Sequence, residues 1–447
     1  MHYLPLTPQD EKEILKRIGA PSFEKLINEI IPRDLQHQGM CGLPDAVSEH
    51  EVRKLIAGLA QRNANTSEYL TFLGAGIYDH YIPSIIDSLI SRSEFYTAYT
   101  PYQAEVSQGT LQTIFEYQSV LCELTGMDVS NASMYDGGSA LAEACHMACV
   151  IKDRNKVILS ELIHPYYRRI TETYTRECGV NVVTCPARDG VLDLDTLASL
   201  IDGDTSCVCV AQPNFHGYLE KMPDIGKIVH AKDAMFVAVV DPISLGVLAP
   251  PGEYGADIAV GEGQAFGIPQ SFGGPLLGIF TAKKEFVKSL PGRIVGETTD
   301  IDGKRGYVLT LQTREQHIRR EKATSNICTN EALCALSSLI YLCSLGKQGI
   351  IDVGNLCVAK SHYLHQKLSG INGIKPAFNQ EFFKEFVVET EKPAQEVIHS
   401  LLENKIFGGV PLSLFDDKNT HQLMIAVTEK RSKEEIDRFL ECLGEVL

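Results

Sequence analysis

The sequence predicts an α/β fold in which a mostly parallel sheet is flanked by helices and followed by a smaller α+β domain. Short runs rich in Val, Ile and Cys alternate with helical segments, which is the pattern of buried parallel strands joined by helical crossovers. With 447 residues, 44% hydrophobic and 22% charged, the composition is that of a globular protein. We expect a helical segment over residues 1–70, a large α/β domain over 71–325 and a small α+β domain over 326–447.

Charge and hydropathy exclude several classes of function. The chain has 41 Lys and Arg against 57 Asp and Glu, for a net charge of −16, so it repels nucleic acid and anionic membranes. It contains no run of about 18 apolar residues, and its N-terminal residues lack a basic segment followed by an apolar one. We therefore expect a cytoplasmic protein.

The 13 cysteines favour a reduced, intracellular chain. Their number is odd, most lie in apolar stretches, and no pair has CxxC spacing. Cys145 and Cys149 are four residues apart on a predicted helix and could in principle hold a metal. Two small buried thiols on a core-facing stripe are the favoured interpretation, so no structural metal is expected.

Capping signals define the N-terminal helices. Thr7 precedes Pro8 at the start of the first helix, and Gly19 ends it. Ser48 to Glu51 form a capping box that begins a second helix, which runs through Leu59. The Gly- and aromatic-rich stretch from Gly74 to Pro83 is predicted to be a packed loop before a short helix.

The middle of the chain alternates between helices and strands. The predicted helices are Gly109–Leu124, one after Gly138, Pro165–Glu177, Leu194–Ile201 and Pro223–Ala231. The predicted strands are Val157–Leu159, Val180–Thr184, Ser206–Ala211, Met235–Val240, Asp257–Val260 and Leu276–Thr281. Repeated strand–helix–strand units argue for a sheet with helices on its faces.

The C-terminal part has a different pattern. A long helix is predicted from Asn330, interrupted at Gly346 and Gly349 and resumed at Val353–Leu368. The remaining predicted elements are strands Glu385–Val388 and Leu423–Val427 and helices Ala394–Leu402 and Lys433–Val446, the last opened by a capping box at Ser432.

Four polar features follow predicted strands or open helices at one edge of the sheet. Asp241 ends the run VAVV, where ligands bind in open α/β sheets. A carboxylate there could hold the ring nitrogen of pyridoxal phosphate (PLP) in its protonated form. Asp241 could equally be a turn residue before Pro242, and taken alone this simpler interpretation is favoured.

The other three features are individually weak. Gly137, Gly138 and Ser139 open a helix and could cradle a phosphate, although an ordinary N-cap is favoured for this motif alone. His164 could stack on a cofactor ring or cap its helix, and Asn214 follows another strand in a similar place. Each signal is weak, but four of them in order at successive strand ends of one sheet count for more than each does alone.

Longer stretches carry a specific resemblance. They are TAYTPYQAEVSQG (97–109), NASMYDGGSALAEA (131–144), GAGIYDHYIP (74–83) and the segment 296–330, which ends in KATSNICTN. The chain resembles fold-type-I PLP-dependent transferases, and within them the P-protein family of the glycine cleavage system. It is most similar to the first, lysine-lacking subunit of the split form of this family, over nearly the whole chain.

One departure concerns the lysine that binds the aldehyde of PLP as a Schiff base in such enzymes. The corresponding position reads Gln264, and no lysine occurs between Lys232 and Lys283. Lys283 and Lys284 follow the next strand and are expected to face solvent. A carboxamide cannot form a Schiff base, so PLP is expected on the partner subunit and not on this chain. Catalytic residues are therefore expected on this chain only as contributions to a shared site.

Fold-type-I active sites lie at a dimer interface, so this chain could complete the site of its partner. The candidates are Tyr99, Tyr102, Glu105, Gln108, Arg320, Lys322, Ser325 and Asn326. Tyr and Asn suit the orientation of a small carboxylated substrate, and Arg or Lys suits its carboxylate. The alternative is that these loops only build the interface. With either role of these loops, the expected remnants of a lost cofactor pocket, kept for packing, are Gly137, Gly138, Ser139, His164, Asn214 and Asp241.

The resemblance implies a reaction that needs two subunits. The complete enzyme, expected as α2β2, decarboxylates glycine on PLP and passes the aminomethyl group to the lipoyl arm of H-protein. Three hypotheses follow: a required non-lysine subunit, a self-sufficient enzyme that uses Lys283 or another lysine, and a non-catalytic scaffold or regulator.

Overall fold

The computed structural model describes residues 6–37, 42, 44–323 and 325–447. They divide into two compact units, Met1–Ala64 and Asn65–Leu447. The first unit contains the helices Pro8–Ile18, Phe23–Ile30 and Glu49–Ala60. The predicted capping boxes at Thr7 and Ser48 are both present, and Gly19 ends the first helix in a left-handed conformation with φ of 80°. The predicted boundaries of residues 1–70, 71–325 and 326–447 stay predictions.

The second unit is built on a seven-stranded sheet. Its strands in chain order are β1 (Val129–Ser130), β2 (Lys156–Ser160), β3 (Asn181–Cys185), β4 (Thr205–Gln212), β5 (Met235–Val240), β6 (Ile258–Glu262) and β7 (Gly278–Ala282). Their spatial order is β1-β7-β6-β5-β4-β2-β3. β2 to β6 are parallel to one another, whereas β7 is antiparallel to β6 and β1. The mostly parallel α/β sheet predicted from the sequence is confirmed.

The direction of the strands decides where the site forms. Because β2, β4, β5 and β6 are parallel, the residues that follow them lie at one edge of the sheet. β7 runs the other way, so its first residue, Gly278, lies at this same edge opposite Glu262. β2 and β4 to β7 are buried on both faces, which explains their continuous apolar sequences, whereas the edge strand β3 is largely exposed or half-buried.

Helices cover the sheet on both sides. They include Gln108–Thr125, Gly137–Lys152, Pro165–Thr175, Leu194–Leu200 and Met222–His230. The loop from Gly74 leads into the helix Ile85–Ile90, as predicted, and a further short helix spans Ser93–Tyr96. A hairpin of strands Ile294–Thr299 and Arg305–Thr310 follows the sheet, and no pattern in the sequence had indicated it.

The C-terminal part is a four-stranded antiparallel sheet with two helices. The strands lie in the order Ile374–Pro376, Glu385–Thr390, Gln422–Ala426, Val410–Pro411, and the helices are Ala394–Glu403 and Lys433–Val446. Two further short strands, Leu70–Thr71 and Ile406–Phe407, pair in parallel. Lys384 immediately precedes the second strand, and this connection brings it to the main sheet.

One helix, Ala332–Leu368, is broken only at Gly346, where φ is 62° and ψ is −175°. The predicted second interruption at Gly349 is wrong, since helical backbone continues through that residue. Among the described residues this is the one helix long and apolar enough to span a membrane. Half of its most apolar window is buried within the protein, which is typical of a core helix.

Candidate active site

A small cavity lies at the carboxyl edge of the main sheet. It has a volume of about 80 Å³. Its wall contains residues from the ends of four strands, namely His164, Asn214, Asp241 and Glu262. Tyr78 also contributes, from the loop of residues 74–83, which we call the N-terminal loop. The structure therefore brings together three of the residues that the sequence placed at successive strand ends.

Asp241 is held by a buried lysine. Its Oδ2 lies 2.7 Å from Nζ of Lys384, and its Oδ1 accepts a hydrogen bond from the N–H of Ile243 at 3.0 Å. The Lys384 side chain is only 1% exposed. The carboxylate that could have held a cofactor ring nitrogen thus already has a cationic partner from the chain itself.

Lys384 belongs to a line of buried polar groups. Its Nζ lies 3.0 Å from Nε2 of His80 and 3.7 Å from the centre of the Tyr78 ring, within cation–π range. An ammonium group can only donate, so Nε2 of His80 accepts and its Nδ1–H donates to Glu429 at 2.6 Å. Burial opposes ionisation of Glu429, yet the contact with His80 and the hydrogen bond from the Tyr81 N–H keep its pKa at about 2.

Gln264, at the predicted lysine position, is a structural bridge. Its Oε1 accepts from the N–H of Tyr78 at 3.0 Å, and its Nε2 donates to the carbonyls of Tyr78 at 3.2 Å and Ile268 at 2.7 Å. The residue is 2% exposed. The carboxamide therefore joins the N-terminal loop to the segment after β6.

Glu262 occupies the N-terminus of the helix Gly137–Lys152. Its Oε2 accepts from the N–H of Gly137 at 3.0 Å, and its Oε1 accepts from the N–H groups of Gln264 at 3.0 Å and Leu277 at 2.9 Å. Burial raises the pKa of Glu262 to about 8, despite these hydrogen bonds. The positive end of the helix dipole is thus occupied by a side chain of the protein.

The glycine turn at this helix is closed by internal contacts. Ser139 donates its N–H to Oδ1 of Asp136 at 2.7 Å and its hydroxyl to the Asp136 carbonyl at 3.0 Å. A Cβ at Gly137 would lie 2.6 Å from the hydroxyl of Tyr167, and one at Gly138 would lie 2.6 Å from Ile170. The two glycines therefore leave room for the neighbouring helix that carries Tyr167 and Ile170. Asp136 and Ser139 form an ordinary capping box.

His164 caps its helix and stacks on protein aromatics. Its Nδ1 accepts from the N–H of Tyr166 at 3.1 Å, so its Nε2 carries the proton and donates to the Ala75 carbonyl at 3.0 Å. Its ring is stacked with Tyr167 at 4.9 Å between centroids. Burial lowers the pKa of His164 to about 4, which keeps the imidazole neutral near pH 7.

Asn214 organises a turn. Its Nδ2 donates to the Gly190 carbonyl and to Glu220, and its Oδ1 accepts from the N–H groups of His216 and Tyr218. Glu385, next to Lys384, likewise secures the N-terminal loop: it accepts from the Ala75 N–H at 2.7 Å and from the Tyr78 hydroxyl at 2.9 Å. Burial raises the pKa of Glu385 to about 7.

Two of the stretches that carry the family resemblance, 97–109 and 296–330, are called the signature segments here. They meet at a larger cavity of about 380 Å³. Its wall contains Tyr99 and Thr100 from the first segment and Cys328, Thr329 and Asn330 from the second. The hydroxyls of Thr100 and Thr329 lie 3.0 Å apart and link the two segments. Tyr99 is 82% exposed in the single chain, so most of its surface is open to a partner.

The remaining interface candidates lie in different surroundings. Tyr102 is exposed and stacks beneath the buried guanidinium of Arg293, 4.7 Å from its ring centre, while Gln108 accepts from and donates to the backbone of Tyr307. Glu105, Arg320, Lys322 and Asn326 are exposed, and Ser325 is half-buried. Of the predicted candidates, only Tyr99 lines the larger cavity.

Lys283 does not lie near Asp241. Its Nζ is 2.5 Å from Asp257, which precedes β6 at the opposite edge of the sheet. The Lys283 side chain is 34% exposed, so the expectation that it faces solvent is only partly met, whereas Lys284 is exposed. Their position argues against Lys283 as a Schiff-base residue.

Sequence reasoning missed the groups that fill the pocket: Lys384, Glu262, His80, Glu385 and Glu429. Lys384 comes 143 positions after Asp241, as their residue numbers show, and only the tertiary fold brings them together. Glu262 gave a weak signal, since an acid at the end of a buried strand requires a partner. Sequence reasoning also missed the contact between Cys145 and Cys209 in the core, whose Sγ atoms lie 3.5 Å apart.

The fold and the pocket define the class of protein. The chain has the fold of PLP-dependent fold-type-I enzymes: sphingosine-1-phosphate lyase from Burkholderia pseudomallei aligns with a TM-score of 0.66 over 93% of this chain and 94% of that one, at 13% identity. A crystal structure titled glycine decarboxylase (P-protein) of the glycine cleavage system, in inhibitor-bound form, aligns with a TM-score of 0.92 and 41% identity over 100% of both chains.

Sequence comparison assigns the family. The family described as glycine cleavage system P-protein matches residues 1–443. A probable glycine dehydrogenase (decarboxylating) subunit 1 from Chlorobium phaeobacteroides is 54% identical over 99% of both chains, and one from Carboxydothermus hydrogenoformans is 51% identical over 99% of both. The chain belongs to the glycine cleavage system P-protein family, as the sequence motifs predicted.

The family implies PLP, and the pocket of this chain does not fit it. Asp241 is paired with Lys384, the helix N-terminus is occupied by Glu262, and Gln264 stands at the predicted lysine position. The cavity of about 80 Å³ is also small beside the ~300 Å³ or more of a typical ligand pocket.

Proposed function

We propose that this chain is the non-lysine subunit of a heteromeric glycine decarboxylase, an oxidoreductase that acts with a second, lysine-bearing subunit. The observation that carries the proposal is Gln264: a fully hydrogen-bonded carboxamide stands where the family needs an amine. Full-length similarity to relatives named subunit 1 supports it, because that name implies a second subunit. In this proposal the chain is inactive without its partner.

PLP belongs to the partner subunit in this proposal. There the cofactor withdraws electrons as glycine loses its carboxylate as carbon dioxide. The aminomethyl group then passes to the lipoyl arm of H-protein. An α2β2 assembly in the cytoplasm fits the proposal, since fold-type-I sites lie between two subunits.

This chain would complete the active site of the partner through its exposed loops. Tyr99 and the larger cavity support this role, because the two signature segments converge there and leave an aromatic hydroxyl open to solvent. Tyr102, Glu105, Gln108, Lys322, Ser325 and Asn326 are the other candidates for orienting glycine or forming the interface. The roles of single residues are part of the proposal.

A glycine–bicarbonate exchange assay tests the proposal. The chain alone, the lysine-bearing subunit alone and the two together are assayed with H-protein and PLP. We expect exchange only with both subunits. Exchange by this chain alone would reject the proposal, and full activity of the second subunit alone would favour the scaffold or regulator hypothesis.

A further inference from the structure

Two side chains of this chain lie where the charged ends of PLP would require partners. The ring nitrogen of the cofactor carries a proton held by a carboxylate, and its phosphate suits the N-terminus of a helix. In this chain the carboxylate at the corresponding place is Asp241, and the corresponding helix begins at Gly137. Both already have partners within the chain, a cation on the first and a carboxyl group on the second.

We propose that the Lys384 ammonium and the Glu262 carboxyl group occupy the positions of the protonated ring nitrogen and the phosphate of PLP, so that this chain closes its own cofactor pocket from within. The proposal rests on the proposed function only for the identity of the cofactor. It also gives Asp241 and the glycine turn a present role, namely to hold these two side chains.

The contacts of Lys384 support the first replacement. Its Nζ lies 2.7 Å from Asp241, the distance of a charge-assisted hydrogen bond, and it contacts the face of Tyr78 and Nε2 of His80. These three contacts surround an ammonium that is almost wholly buried. A ring nitrogen could not approach Asp241 without displacing it.

The contacts of Glu262 support the second replacement. Its two oxygens accept three backbone N–H groups, from Gly137, Gln264 and Leu277. Tyr167 covers the same turn, within 2.6 Å of the place where a Gly137 side chain would begin. A phosphate would have to displace the Glu262 carboxyl group from these three N–H groups.

This arrangement also argues against Lys384 as a Schiff-base lysine. Its amine is bound at the carboxylate that the ring nitrogen would need, whereas the aldehyde lies on the opposite side of the pyridine ring. The residue at the aldehyde position is Gln264, whose carboxamide is engaged by backbone groups. One lysine cannot serve both ends of the ring.

The test measures binding of pyridoxine 5′-phosphate, which keeps the ring nitrogen and phosphate but lacks the aldehyde and so forms no adducts with surface lysines. Full-length wild type and the variant Lys384→Ala/Glu262→Ala are studied by thermal unfolding and equilibrium dialysis. We expect no saturable binding to the wild type. The variant should unfold at a lower temperature and regain part of the loss, saturably, with the ligand.

A matched control removes one lysine and one carboxylate at the opposite edge of the sheet, Lys156→Ala/Asp257→Ala. It should lose stability without any effect of the ligand. Saturable binding of one ligand per wild-type chain would overturn the proposal. So would a ligand effect on the pocket variant no larger than that on the control.

Single variants guard against failure of the double variant to fold. Lys384→Ala is measured with pyridoxine and Glu262→Ala with inorganic phosphate, so each vacancy is matched by the corresponding half of the cofactor. Absence of stabilisation in both would reject the proposal. Because no partner or turnover is needed, failure here is distinguishable from failure of the exchange assay.

Discussion

Gln264 and Tyr78 bind each other through two hydrogen bonds, one in each direction. The Tyr78 N–H donates to the carboxamide oxygen, and the carboxamide nitrogen donates to the Tyr78 carbonyl. A carboxamide can satisfy both backbone groups at once, whereas an ammonium can only donate. Gln264, at the predicted lysine position, thus has a defined structural role in holding the N-terminal loop.

Gln264→Met should destabilise the protein while keeping side-chain volume. It removes three hydrogen bonds and leaves buried backbone groups of Tyr78 and Ile268 without this partner, at about 1–3 kcal/mol per unsatisfied group. Urea unfolding of the full-length chain measures the loss. The exposed Gln366→Met serves as control, and equal stability of the two variants would contradict the structural role.

Lys384→Met should cost about 3–5 kcal/mol, because it leaves the Asp241 carboxylate buried without its cation. Adding Asp241→Asn should recover part of this loss, since the uncompensated charge is then gone. The unfolding free energies of the wild type, the two single variants and the double variant give the interaction free energy between Lys384 and Asp241. The control is Lys375→Met, whose side chain is 73% exposed and whose ion pair should contribute little. Strict additivity of the two pocket substitutions would contradict the buried pair.

The contribution of Glu262 to stability should fall as pH rises from about 5 to about 8. Glu262 keeps its proton in the folded state up to about pH 8 because burial raises its pKa, whereas an unfolded chain loses it near pH 4.5. Between these values the folded state binds more protons, so each rise in pH favours unfolding, by at most about 1.4 kcal/mol per pH unit for one group. The negative charge of the neighbouring Asp136 also raises the pKa of Glu262.

Glu262→Gln should reduce this pH dependence without abolishing it. Glu385, with its pKa raised to about 7 by burial, still contributes a slope of the same sign. Unfolding free energies measured from pH 5 to pH 9 give the two slopes. The exposed Glu253→Gln should retain the wild-type slope, and an unchanged slope in Glu262→Gln would show that this carboxyl group is already ionised at pH 5.

Tyr99→Ala should lower glycine–bicarbonate exchange by the assembled enzyme at least tenfold while leaving the unfolding temperature of this chain unchanged. The side chain is 82% exposed, so its removal alters little within the chain. Asn326→Ala is measured in parallel. Tyr174→Ala, on the outer face of the helix Pro165–Thr175, is the control. Normal exchange with both loop variants would indicate loops that serve assembly only.

Local patterns in the sequence determined several helix ends, six of the seven strands of the main sheet and the family. The caps at Thr7, Gly19 and Ser48 depend on contacts with residues at most four positions away. The buried strands can be recognised in the sequence by their uninterrupted apolar runs. The absence of an amine at position 264 is likewise legible in the sequence, because it depends on the identity of one residue.

Only the tertiary structure decided what occupies the pocket. Asp241 appeared as a possible cofactor ligand because its partner, Lys384, lies in the C-terminal part of the chain and meets it only when that part packs on the sheet. The role of Glu262 required the antiparallel β7, which places the Leu277 N–H beside it. Ion pairs between distant segments leave no periodic signal in the sequence, since their energy depends on proximity and burial that folding alone creates.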